Sequence, residues 1–218
     1  MQKETFKSLL TTAEHRIFKR LDSPAKIQNF LDTFPINFEL DGETYMSARR
    51  VLQARTAHCF EGALLAVAAL LYHRKYAAIM DLRTTSEDED HVVTLFKEGR
   101  YWGAISKTNH PVLRYRDAIY KTPRELALSY FHEYFLDAGG KKTLREYSRP
   151  FLLSRYKLAR WLVAPEELQW LVNDVDDSPH FEIAPPALMR KLRPASAHEI
   201  EAMSRREWPL PKKSRRSV

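Results

Sequence analysis

The chain contains a single cysteine, Cys59, at a position where a thiol can become a nucleophile. An apolar stretch follows it closely, residues 63–71, whose uniformly apolar character predicts a helix buried inside a domain. A helix N-terminus carries roughly half a positive charge, which favours thiolate over thiol and lowers the pKa of a cysteine. The sequence therefore predicts a reactive thiol at the start of a buried helix. The alternative is an inert core cysteine.

A thiolate that turns over also needs a group that protonates the leaving amine, and histidine commonly does this. His91 opens a segment, residues 91–96, that has the composition of a strand, and residues 101–105 form a second such segment. A strand beside the central helix can direct an imidazole toward the start of that helix. We therefore expect His91 to be the partner of Cys59, and His58 to be a helix cap or a surface group.

Three residues are candidates for orienting His91. When the hairpin is counted outward from a two-residue turn at 98–99, His91 pairs with Ser106, and facing side chains on neighbouring strands lie about 5 Å apart. A serine hydroxyl can orient an imidazole. Asn109 is the second candidate, because an amide oxygen accepts a ring N–H. Asp117 is the third, and the sequence leaves the choice open.

Two stretches carry a resemblance to a known family. Residues 57–63 (AHCFEGA), together with residues 90–105 from His91 to Trp102 and beyond, resemble the catalytic core of the transglutaminase-like superfamily, cysteine enzymes with a papain-like fold. The resemblance covers residues 30–119. It implies acyl transfer through a thioester on Cys59, from a peptide or amide substrate to water or to an amine. The family places an aspartate where this chain has Ser106. The alternative is therefore a catalytically impaired fold that serves as a binding or scaffold module.

Elements around these residues predict an α+β fold. The patterns indicate helices over 5–20, from Ser23-Pro24, after Ser47, and from Thr122 to about Phe135. They indicate strands over 76–82, 91–96 and 101–105, with a further extended segment at 113–120. We expect a central buried helix on a small, mainly antiparallel sheet with flanking helices.

The chain divides by pattern into three parts. We expect a core domain over residues 1–146, a C-terminal extension packed on it over 147–203, and a basic disordered tail over 204–218. The net charge of the chain is +7, and the tail supplies most of it, with six Lys or Arg against one Glu. A body this close to neutral is not the broad cationic face of a nucleic-acid binder, so we expect no nucleic-acid partner. The tail offers a contact for an anionic partner.

Composition excludes several other classes. One cysteine permits neither an internal disulfide framework nor a cysteine zinc cluster, and no cofactor or metal is expected. No apolar run reaches the ~20 residues of a membrane span, and the N-terminal residues lack the apolar region of a secretion signal. The expected location is the cytoplasm, and the expected substrate contains a peptide or amide bond.

Overall fold

The computed structural model describes residues 5–203 and 205–208 of the chain. The helices in these residues are α1 (Phe6–Leu9), α2 (Thr12–Arg20), α3 (Pro24–Asp32), α4 (Ala48–Ala54), α5 (Cys59–Tyr72), α6 (Pro123–Leu128), α7 (Ala159–Leu162), α8 (Gln169–Asp176), α9 (Pro186–Met189) and α10 (Ala197–Met203). The strands are β1 (Ala78–Arg83), β2 (His91–Glu98), β3 (Tyr101–Ser106), β4 (Arg116–Tyr120), β5 (Glu146–Ser148) and β6 (His180–Glu182). Short 3-10 helices lie at Phe131–Glu133 and Leu153–Arg155.

The six strands form one sheet in the order β4-β3-β2-β1-β5-β6, and every neighbouring pair is antiparallel. Helices cover both faces of this sheet to different extents. The mixed α+β class with an antiparallel sheet is confirmed at this level.

Helix α5 is the centre of the core. Residues 60–70 are all buried, as the uniformly apolar stretch predicts, because α5 is enclosed by the sheet on one side and by the other helices on the other. Ile79, Phe96 and Ile105 face this cluster from β1, β2 and β3. Alternate strand residues, among them Met80 and Leu95, pack on the opposite face in a second cluster with α6. Three strands therefore hold α5 in a fixed place.

A glycine brings the start of α5 against the end of β3. A Cβ placed on Gly62 would lie 2.5 Å from the Cβ of Lys107, a separation that real side chains do not tolerate. The chain just beyond Ser106 can pass this close to the first turn of α5 only because residue 62 has no side chain. This contact sets the distance between Cys59 and the end of β3.

The register of the β2–β3 hairpin differs from the predicted one by two residues. Val93, not His91, lies directly opposite Ser106, and Glu98 pairs with Tyr101. The turn residues are therefore 99–100, with Gly99 at a φ of +59° in the first central position, where a two-residue hairpin turn accepts glycine. Because side chains alternate along a strand, a shift of two leaves His91 and Ser106 on the same face.

Two helices are shorter than their patterns predict. The expected helix over 5–20 is divided into α1 and α2, because Thr11 caps α2 through a reciprocal bond with Glu14. The helix after Thr122 begins as expected but ends at Leu128, and a short 3-10 helix follows it instead of continued α-helix to Phe135. The prediction of a long helix there was wrong.

The C-terminal region contributes strands to the central sheet. β5 pairs with β1, and β6 pairs with β5, so residues 146–148 and 180–182 extend the sheet that holds His91. The predicted boundary after residue 146 falls inside β5. Of the predicted tail over 204–218, only residues 205–208 are described, and the prediction of disorder for the rest lies outside the described residues.

Candidate active site

Cys59 is the first residue of α5, and the residue as a whole is half-buried. His58 is the N-cap: its Nδ1 accepts the N–H of Phe60 at 3.3 Å, and the Sγ of Cys59 lies 3.9 Å from the same nitrogen. The N–H of Cys59 has no acceptor in the part of the chain that the structure describes, as is usual in the first turn of a helix. The thiol therefore lies beside an imidazole and an available backbone donor.

The ring of His58 is held from its far side. Its Nε2 lies 2.8 Å from the carbonyl oxygen of Thr44, which can only accept, so Nε2 carries a proton. The same nitrogen is 3.6 Å from Glu61 and 3.8 Å from Glu39. These partners point Nδ1 toward the start of α5.

Glu61 is a fully buried side chain that anchors this arrangement. Its carboxylate accepts the backbone N–H of His58 at 3.0 Å and that of Met46 at 3.1 Å. It also accepts from the Thr44 hydroxyl at 2.9 Å and the Asn37 amide at 3.1 Å. One carboxylate thus joins the start of α5 to the loop before α4, which carries the acceptor of His58.

His91 is buried and forms a hydrogen-bonded chain with Ser106. The Nε2 of His91 lies 2.8 Å from the Oγ of Ser106, and that oxygen lies 2.6 Å from the carbonyl oxygen of Leu113. A serine hydroxyl has one proton, and only the hydroxyl can donate to the carbonyl, so Ser106 accepts from His91. Nε2 of His91 therefore carries a proton, and Nδ1 is the nitrogen left for the thiol.

Ser106 is itself held by a side chain from α3. The Gln28 amide donates to the carbonyl oxygen of Ser106 at 2.8 Å, and its oxygen accepts the backbone N–H of Ser106 at 2.9 Å. The second amide proton of Gln28 goes to Asp32 at 2.9 Å. Gln28 thus pairs with Ser106 as a neighbouring strand would, at the point where β3 ends.

Leu113, whose carbonyl oxygen is the last acceptor in the hydrogen-bonded series from His91 through Ser106, has a strained backbone. Its φ is +59°, a left-handed conformation that costs a residue with a side chain roughly 1 kcal/mol. Its N–H donates to Glu133 at 2.8 Å, and Glu133 in turn pairs with Arg116. These contacts hold the Leu113 carbonyl on Ser106, so the loop between β3 and β4 orients His91 indirectly.

The two imidazoles act together on the thiol. Burial raises the pKa of Cys59, but the adjacent His58 imidazole, the His91 imidazole and the positive charge of both rings outweigh burial and lower the pKa to about 5. The normal pKa of a free cysteine is near ~8.5, so at neutral pH Cys59 is a thiolate.

His58 has two incompatible tasks. Burial lowers the pKa of His58, but the hydrogen bond and charge of the Cys59 thiolate, with Glu61 and the Thr44 carbonyl, raise it to about 9. A protonated Nδ1 could not accept the N–H of Phe60, as the cap geometry requires. The two facts describe alternative states of one site, in which His58 either caps α5 or shares a proton with Cys59.

The remaining predicted residues lie elsewhere. Asn109 follows Ser106 by three residues, and its amide donates to Glu207 at 3.4 Å instead of contacting His91. Asp117 is exposed on β4. Within the described residues, no carboxylate bonds to His91. Trp102 is at the far end of the hairpin, where Lys97 lies 4.0 Å from its ring centroid.

Sequence reasoning missed three contributors. The expectation that His58 caps the helix is confirmed, with Glu61 at the spacing of a capping box, but the contact of His58 with Cys59 is not predicted by the sequence. Gln28 lies 78 residues before Ser106, and no local pattern connects them. Leu113 acts through its backbone, which the residue type does not reveal.

Comparisons with known proteins do not add to this description. A scan against models of protein families gives no match, and a search of curated proteins finds none either.

Among the described residues, no group of three or more His, Cys, Asp or Glu side chains comes together as a metal site would require. No helix in that part of the chain has the length and apolar content needed to cross a membrane.

Proposed function

We propose that this chain is a thiol-dependent enzyme that performs acyl transfer or hydrolysis at an amide or peptide-like bond. The observation that supports this is the environment of Cys59, a half-buried residue at the start of a buried helix, where two imidazoles lower the pKa of the thiol. The order of a cysteine that begins the central helix and a histidine that begins a later strand also supports membership of the transglutaminase-like superfamily, with a papain-like core.

The chemistry requires only groups that the chain carries. The Cys59 thiolate attacks the carbonyl carbon, and the carbonyl oxygen becomes an oxyanion close to the unpaired Cys59 N–H. The C–N bond then breaks, His91 gives its Nδ1 proton to the leaving amine, and a thioester remains. Water or a second amine attacks the thioester and passes its proton to His91, which regenerates the thiolate.

Ser106 is a positioning residue in this scheme. Because it accepts from Nε2 of His91, it keeps the exchangeable proton at Nδ1, on the side of the thiol. A serine lacks the negative charge with which a carboxylate would stabilise an imidazolium. In this site the imidazolium is stabilised by the thiolate and, through Ser106, by the dipole of the Leu113 carbonyl.

A second candidate is a binding or scaffold module on the same fold. Its support is that the hydrogen-bonded series from His91 through Ser106 ends on the neutral carbonyl of Leu113. In addition, no described carboxylate contacts the His91 imidazole. This candidate predicts a Cys59 that forms a thioester slowly or not at all, and partner binding that survives Cys59→Ser.

Acylation by p-nitrophenyl acetate distinguishes the two candidates. The enzyme should release a burst of one equivalent of p-nitrophenolate. Intact mass spectrometry should find one added acetyl group, and peptide mapping should place it on the peptide that contains Cys59. The acetyl group should leave faster when an amine is added, if an amine is the acceptor, and Cys59→Ser should remove the burst. A wild-type protein without a burst, or with acetyl groups on other residues only, would contradict the enzyme proposal.

A further inference from the structure

The described C-terminal segment, residues 205–208, lies against the loop between β3 and β4. The N–H of Glu207 donates to the carbonyl oxygen of Asn109 at 2.9 Å, and the Asn109 side-chain amide donates to the carbonyl oxygen of Glu207 at 3.4 Å. One asparagine thus contacts both polar groups of a single peptide residue. Such pairing recognises an extended main chain whatever its side chains, as in peptides that add to a sheet edge.

Charged side chains flank this pairing. Arg114 lies 3.5 Å from the Glu207 carboxylate, and Arg206 pairs with Asp137. The carboxylates of both pairs are exposed, so the pairs add selectivity more than affinity. The surface therefore matches an extended peptide with an acidic residue preceded by a basic one.

The same loop belongs to the candidate active site. Asn109 is three residues from Ser106, so their Cα atoms are at most about 11 Å apart. His110 follows Asn109 directly, and its Nδ1 is buried without a hydrogen-bond partner among the described residues. Burial lowers the pKa of His110 to about 4, and the charges of Arg206 and His91 act in the same direction. The pKa of His110 therefore depends on charges in both the C-terminal segment and the candidate active site.

We propose that the loop over residues 107–114 forms one wall of a peptide-binding groove, and that residues 205–208 of the chain occupy it as a substrate would. The substrate is then an extended polypeptide that carries a basic residue followed by an acidic one. This inference deepens the proposed function and rests on it for its catalytic meaning, whereas the binding of peptide needs no chemistry. The chain's own segment competes with free peptide, because a tethered ligand acts at an effective concentration of up to ~mM.

The test uses the full-length chain and a fluorescein-labelled, C-terminally amidated Arg-Arg-Glu-Trp peptide, measured by fluorescence anisotropy. Glu207→Pro removes the N–H that bonds to Asn109, and it should free the groove, so that the peptide binds roughly ten times more tightly than to wild type. Glu207→Ala keeps the N–H and should fall between them. Glu201→Ala, an exposed change on α10, should match wild type.

Methylation of the peptide at the glutamate nitrogen tests the main-chain contact directly. The methylated peptide should not bind Glu207→Pro, since it cannot donate to Asn109. Equal binding of both peptides, or equal binding of the peptide to wild type and Glu207→Pro, would overturn the groove.

The groove and the enzyme fail separately. Peptide binding is measured on Cys59→Ser versions of these chains and acylation on chains that keep Cys59. Tight peptide binding together with an inert Cys59 then supports the groove and contradicts the enzyme. An acylated Cys59 without peptide binding does the opposite. In Glu207→Pro, saturating peptide should also slow alkylation of Cys59 by iodoacetamide at least twofold, and an unchanged rate would show that the groove does not lead to the thiol.

Discussion

At the scale of single residues, the central feature is a thiol whose pKa is lowered by two imidazoles. His58 precedes Cys59 in the chain and is fixed by the Thr44 carbonyl, whereas His91 comes from a strand and is fixed by Ser106. Among the described residues, His58 uses both ring nitrogens in hydrogen bonds, whereas His91 uses only Nε2. Both rings lower the pKa of the thiol, and we propose that His91 alone transfers protons.

Alanine substitutions separate these roles. Both His58→Ala and His91→Ala should raise the pKa of Cys59 from about 5 toward that of a free thiol, since each ring lowers it. In an acyl-transfer assay, His91→Ala should lose roughly 10²–10⁴-fold in kcat, the usual contribution of a general acid–base group. His58→Ala should keep most of its kcat above pH 9. A larger loss in His58→Ala than in His91→Ala would transfer the proton role to His58.

Ser106 offers a finer test of the His91 geometry. Ser106→Ala leaves a buried Nε2–H without an acceptor, and we expect a fall in kcat at nearly constant KM, with a loss of about 1–3 kcal/mol of stability. Ser106→Thr keeps the hydroxyl and should recover most of the kcat. If alanine and threonine behave alike, or if alanine equals wild type, Ser106 does not orient His91.

At the scale of elements, the site depends on how closely β3 approaches α5. Gly62 makes that approach possible, because a Cβ there would lie 2.5 Å from the Cβ of Lys107. Lys107 is buried beside Gly62, and its ammonium group donates a hydrogen bond to the carbonyl oxygen of Phe34. Burial lowers the pKa of this lysine. The segment after Ser106 is therefore fixed on both sides.

Gly62→Ala should destabilise the protein and weaken the site together. Alanine would gain up to ~1 kcal/mol of helix propensity, but overpacking a tight contact costs about 1–3 kcal/mol, and 2.5 Å is far inside contact distance. We expect a lower midpoint of urea unfolding and a raised pKa of Cys59, because β3 and His91 move away. A stabilised variant with unchanged Cys59 reactivity would show that the approach is not needed.

Another histidine, His180, joins β6 to the central strand β1. His180 donates Nδ1–H to the Ser178 carbonyl at 2.6 Å and Nε2–H to Asp81 at 3.0 Å, so both nitrogens carry protons. Burial lowers the pKa of His180, but the Asp81 carboxylate and the Ser178 carbonyl raise it above the ordinary value against the opposing charge of Arg83. This buried ion pair connects the C-terminal strand to the sheet.

The pair makes stability depend on pH in a defined direction. Because the folded pKa of His180 is raised, its contribution is complete below the unfolded value of about 6.5 and is lost as the pH rises through the folded pKa. Urea unfolding from pH 6 to 9 should show this decline. His180→Gln should be less stable at pH 6 and should lose less between pH 6 and 9. Parallel pH curves for the two proteins would contradict this role.

At the scale of the whole molecule, the elements with strong local signals could be predicted and the small ones could not. Uniformly apolar residues identified α5, and cap residues such as Ser23 and Ser47 located the starts of α3 and α4. Strands β5 and β6 have three residues each, too few for a periodic pattern, and their pairing with β1 comes from tertiary contacts.

The sequence predicted the two central residues of the candidate site, Cys59 and His91, but not all of the residues that hold them in place. Cys59 and His91 could be proposed from residue type and position. The hairpin register shifted by two residues because Gly99 takes the first position of the turn, yet the even shift preserved the shared face of His91 and Ser106. Gln28 could not be foreseen, since its contact with Ser106 spans 78 residues.

The pH dependence of Cys59 alkylation tests the central claim most directly. Cys59 is the only cysteine, so iodoacetamide incorporation into the wild-type chain reports on this thiol alone. The account predicts a rate that rises with a midpoint near pH 5 and is almost constant above pH 6.5, as the pKa of about 5 requires. A midpoint near the ~8.5 of a free thiol, or a thiol that iodoacetamide does not reach, would contradict it.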